Sequence, residues 1–104
     1  MQIKVRNFNQ KRNCHFEQME TSARLMDIQS EIGELAKEYL KGSSYGSKIF
    51  ELTEDFEMEL GDVLYSLLSL ADELNINAEH CLDKVIKKYE DRISKKNTMG
   101  SEGE

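Results

Sequence analysis

Thr53-Glu-Asp-Phe-Glu-Met-Glu-Leu-Gly-Asp-Val-Leu-Tyr-Ser-Leu-Leu-Ser-Leu-Ala-Asp-Glu-Leu74 decides the fold. Thr53 is a good N-cap, and Glu54 and Asp55 in the first turn suit the positive end of a helix dipole. Phe56, Leu60, Val63, Leu64, Leu67, Leu68, Leu70, Ala71 and Leu74 then recur at helical spacing over so wide an arc that the helix must be covered on most sides. Glu59 and Asp62 sit inside that arc, three residues apart on one face, and Ser66 and Ser69 continue their line. A polar groove therefore runs down a helix that is otherwise made for burial.

Upstream, Gly42-Ser-Ser-Tyr-Gly-Ser47 is turn-forming and reads as a connection, with Gly42 as a stop signal. Before it, the spacing predicts a first helix from about Met19 to Lys41, capped by Thr21 or Ser22. That helix carries two stripes. Leu25, Ile28, Ile32, Leu35 and Tyr39 form a core-facing line, and Asp27, Glu31, Glu34 and Glu38 form an acidic one beside it. Downstream, Asn75-Ile-Asn77 breaks the chain and Asn77 caps a third helix that reaches about Ser94. Residues 1–15, with Lys4, Arg6, Lys11 and Arg12 ahead of the first acid, read as a basic, partly ordered arm; 16–94 form the helical domain; and 95–104 read as a disordered tail.

An acid stripe alone is ordinarily a solvated face. Two like charges next to an apolar core are a different matter, because each ion loses solvation at a cost of several kcal/mol unless a cation compensates. A short connection makes consecutive helices antiparallel neighbours. Glu31, Glu34, Glu59 and Asp62 then converge. Carboxylate oxygens suit a hard divalent ion, and Mg²⁺ keeps room in its octahedron for water and substrate phosphates.

Composition excludes several alternatives. The 104 residues fit one small domain, and a formal net charge of -6 disfavours a broad grip on nucleic acid or anionic membrane. The longest Leu-rich run, Val63 to Ala71, is too short to span a bilayer. Cys14 and Cys81 have no CxxC spacing, which points away from zinc and from a disulfide framework and toward a reducing cytoplasm. His15 and His80 have no partner at ligand spacing, and Met19, Met26 and Met58 fall within the helical packing pattern.

Ser30-Glu-Ile-Gly-Glu-Leu-Ala36 followed by Glu59-Leu-Gly-Asp-Val-Leu-Tyr65 resembles the signature of the MazG-like, all-α nucleoside triphosphate pyrophosphohydrolases, ExxE and then ExxD on a later helix. The resemblance covers roughly Met19 to Arg92. It implies that Glu31, Glu34, Glu59 and Asp62 bind Mg²⁺, with Mn²⁺ as a possible substitute, and that the bond between the α and β phosphates is cut. Glu34 or Glu38 is the implied general base. Two positions depart from the family pattern. Ser30 stands where many members have a further acid, and the Lys and Asn that many members carry on the third helix are Val85 and Tyr89 here. Arg92 matches as a phosphate contact, with Lys84 and Lys88 as neighbouring candidates by charge.

These readings together predict an all-α fold, an antiparallel helical hairpin plus a third helix. Three helices offer too few neighbours to cover the second, so a four-helix-bundle-type homo-oligomer, a dimer or a tetramer, is expected. The expected partner is a nucleoside triphosphate, with no nucleic acid and no membrane. A competing reading is a non-catalytic helical module that uses the metal-binding scaffold for oligomerisation or regulation. No base-reading motif is present to name the nucleotide.

Overall fold

A computed structural model describes residues 1–15 and 19–98 of the chain. Its described residues form four helices and no strand: α1 (Gln2–Asn13), α2 (Thr21–Gly42), α3 (Glu54–Glu73) and α4 (Ala78–Thr98). The all-α expectation is met, and the hairpin of the sequence reading is α2 with α3. Residue pairing fixes its antiparallel sense. Arg24 at the start of α2 meets Glu73 at the end of α3, and Glu31 meets Ser66 midway.

Local chemistry sets most helix ends. Thr53 Oγ1 accepts from the Phe56 amide, and Asn77 Oδ1 accepts from the His80 amide, so both expected caps are in place. The start of α2 differs from the reading. Its cap position is Glu20, in extended backbone and without a side-chain cap, and Thr21 and Ser22 lie inside the first turn. Gly42 ends α2 for a reason other than a left-handed cap. A Cβ there would lie 2.6 Å from the Phe50 ring and 2.8 Å from the Glu51 carbonyl oxygen. The left-handed positions fall just beyond, at Ser44, Tyr45 and Gly46.

That close approach lets the connection fold back onto the hairpin. Phe50 stacks on Tyr39 at 4.5 Å between ring centroids and meets Phe56 edge-on at 5.2 Å. Three aromatic rings thus plug the connecting end, while Arg24 and Glu73 tie the opposite one.

The sequence reading has no helix before Met19, yet α1 packs along α3. It does so mainly through polar side chains. Asn9 donates to Ser69 Oγ at 2.9 Å and accepts from the Tyr65 hydroxyl, Arg6 pairs with Asp72 at 2.7 Å, and Phe8 meets Tyr65 edge-on. Gln2 clamps the α3–α4 turn, donating to the Ile76 carbonyl and accepting from the Ala78 amide. The third predicted helix extends to Thr98 as α4, so residues 95–98 of the expected tail are helical, and 99–104 lie outside the described residues.

The apolar residues buried within the described chain are few: Ile28, Val63 and Leu68. Leu60, Leu64 and Leu67 of α3 and Leu74 just after it are 40–50% exposed, and Leu25, Ile32 and Tyr39 of α2 are about half exposed. α4 extends from the hairpin with Leu82, Ile86, Tyr89 and Ile93 bare, giving overall extents of 57 × 42 × 22 Å. No helix among the described residues is long and apolar enough to cross a membrane.

Candidate metal centre

The antiparallel register brings the acid stripe of α2 against the polar groove of α3. Glu31, Glu59 and Asp62 each offer a carboxylate oxygen, and these oxygens all lie within 4.8 Å of one another. Glu31 and Glu59 are partly buried and Asp62 is exposed, so the cluster lies at the rim of the hairpin with one side open to solvent. Glu31 comes from one helix and the Glu59/Asp62 pair from the other. The cluster therefore exists only when the hairpin is closed.

Electrostatics carries the mark of that crowding. Desolvation raises the Glu59 carboxyl above its ordinary value, and the charges of Asp62, Glu34, Glu38 and Asp55 raise it further. Glu31 is raised first by burial and then by its hydrogen bond with Asp27, whereas the hydroxyl of Ser66 lowers it; the charges of Asp27 and Asp62 add to the rise. A divalent cation at the cluster would relieve both costs, and an all-oxygen donor set fits Mg²⁺ or Mn²⁺ better than a softer metal. The residues present thus fit such an ion.

The remaining predicted residues are less tightly gathered. Glu34 stands outside the trio but close enough for its charge to act on Glu59. Glu38 accepts from Lys41 Nζ at 3.2 Å. Lys84, Lys88 and Arg92 line exposed α4, where Lys88 and Arg92 lie 5.5 and 5.8 Å from the Tyr89 ring centroid. Among the described residues, α4 makes no ion pair with the carboxylates of α2 or α3. Lys48 of the connection pairs with Glu51 at 3.4 Å.

Two contacts across the hairpin, one at the cluster and one at its far end, are absent from the sequence reading. Ser66 Oγ donates to Glu31 Oε1 at 3.1 Å. Arg24, whose side chain is 4% exposed, donates from Nε to Glu73 Oε2 at 2.6 Å and lies over the Tyr65 ring. The seven-residue spacing from Asp62 through Ser66 to Ser69 does mark the groove, but no sequence pattern names which neighbour each serine meets.

The family model described as the MazG nucleotide pyrophosphohydrolase domain matches residues 19–96. The chain is also similar to the uncharacterized protein YpjD of Bacillus subtilis (strain 168), with 37% identity over 101 residues that cover 94% of this chain and 86% of that protein. No solved structure matches the chain significantly. The family match includes every candidate ligand and stops short of α1.

Proposed function

This chain belongs to the MazG nucleotide pyrophosphohydrolase domain family, and on that premise we propose that it hydrolyses a nucleoside triphosphate to the monophosphate and pyrophosphate, with Mg²⁺ as cofactor. The observation that carries the metal assignment is the convergence of Glu31, Glu59 and Asp62 from two helices onto a common point. A divalent ion held there would supply charge neutralisation for the triphosphate and help acidify the attacking water.

The chain's own residues do the rest. Glu31, Glu59 and Asp62 would hold the ion, and Glu34 would supply a fourth ligand oxygen or the base. Glu38 is the second candidate base, already engaged by Lys41. As the water oxygen bonds to the α phosphorus, the carboxylate base takes its proton; the bond from that phosphorus to the bridging oxygen breaks, and pyrophosphate leaves with the bonding electron pair. Lys84, Lys88 and Arg92 are the proposed phosphate contacts.

The bare seams of α2 and α3 support a homo-oligomer, dimeric or tetrameric, in which a second copy covers Leu60, Leu64 and Leu67. The proposed compartment is the cytoplasm, where nucleotide pools lie and where Cys14 and Cys81, both free here, stay reduced. The test is pyrophosphate release from a panel of canonical and modified nucleoside triphosphates with Mg²⁺, comparing the natural chain with Glu59→Gln. Turnover that the substitution abolishes supports the enzyme and names its substrate class. No release from any triphosphate, with Mg²⁺ still raising the melting temperature, would leave a metal-binding scaffold instead.

A further inference from the structure

Ser66 and Ser69 are the most deeply buried side chains in the groove, 1% and 0% exposed. A buried hydroxyl needs a partner, and inside a helix its easy choice is the carbonyl one turn back. Both serines also reach beyond their own helix. Ser69 accepts from Asn9 of α1, and Ser66 donates across the hairpin to Glu31 of α2.

The Glu31 carboxylate has neighbours on both helices. Asp27 stands one turn back on α2, where its charge acts on Glu31. The Ser66 hydroxyl, one turn past Asp62 on the ligand face of α3, draws it toward the other two acids. Without that donor, Glu31 has several rotatable bonds and a repulsive pair of carboxylates ahead of it. We infer that Ser66 is a positioning residue for the centre: its hydrogen bond holds Glu31 Oε1 against α3 and leaves the rest of the carboxylate turned toward a cation shared with Glu59 and Asp62.

This rests on the reading of those three acids as metal ligands, and outer partners of metal ligands typically influence affinity by about 10- to 100-fold. Mn²⁺ alone is the probe, its free concentration read by electron paramagnetic resonance in the natural chain, Ser66→Ala, Glu31→Gln and the double variant. Alanine removes one oxygen and favours the helix, so the fold should persist, as melting curves will report. Ser66→Ala is expected to weaken Mn²⁺ binding about tenfold, and to cause no further loss once Glu31 is Gln.

Unchanged affinity in Ser66→Ala would overturn the inference, as would an equal loss in both backgrounds, which is what a merely structural serine gives. A natural chain that binds Mn²⁺ and ignores Ser66 leaves the proposed function standing. One that binds no Mn²⁺ removes both.

Discussion

Arg24 and Glu73 form a buried ion pair that closes the open end of the α2–α3 hairpin, 2.6 Å from Nε to Oε2, with side chains 4% and 10% exposed. Glu73 Oε1 has no hydrogen-bond partner among the described residues. Removing one member of such a pair leaves the other charged and desolvated. Glu73→Ala should therefore cost about 3–5 kcal/mol in urea denaturation. Arg24→Met with Glu73→Leu should recover most of that loss, because apolar packing replaces both charges together.

The elevated Glu59 carboxyl makes a signed prediction. A folded-state pKa above the ordinary 4.5 means that folding favours the protonated form, so this contribution is fully present below 4.5 and is lost as pH rises through the folded value. Without metal, Glu59→Gln should melt above the natural chain at pH 8, and the gap should close as the pH falls toward 4.5. Mg²⁺ should reverse the order at pH 8, since only the natural chain keeps all the proposed ligands. Melting curves across pH, with chelator or with Mg²⁺, will report both.

Gly42 is required for the fold-back of the connection. Gly42→Ala places a methyl 2.8 Å from the Glu51 carbonyl oxygen, a backbone atom that cannot rotate aside. Overpacking of this kind costs about 1–3 kcal/mol. The checks are denaturant midpoint and the near-ultraviolet circular dichroism of the Tyr39, Phe50 and Phe56 cluster, both of which should fall.

Asn9 joins α1 to both Tyr65 and Ser69 of α3. Asn9→Ala leaves two hydroxyls in a partly buried groove without their partner, a loss of about 1–3 kcal/mol. The loss should fall on α1 docking. Trypsin cleavage at Lys11 and Arg12 is expected to accelerate well before the α2–α3 hairpin becomes susceptible.

Leu64 and Leu67 are 40% and 45% exposed on the seam that a second copy is proposed to cover. Placing a charge there, as Leu64→Glu, should shift the mass measured by light scattering from oligomer to single chain and lower the melting temperature with it. An unchanged mass would place the interface elsewhere, with bare α4 the next surface to test.

Short-range chemistry determined much of this protein in advance. Thr53 and Asn77 cap their helices through hydrogen bonds three residues away, and helical spacing alone places Glu31 with Glu34 and Glu59 with Asp62, because both effects act within one turn. The all-α hairpin and its acidic stripes follow from such local rules. The tertiary structure decided what depends on contacts between residues distant in sequence. α1 has no buried residue of its own and is held by Gln2, Arg6 and Asn9 meeting groups far along the chain, so no apolar period could announce it. Likewise, the pairing of Arg24 with Glu73, the choice of Glu31 over Glu34 for the tight trio, and the hydroxyl of Ser66 on Glu31 depend on the register of two helices. That register is set by packing across the hairpin, which no single stretch of sequence contains.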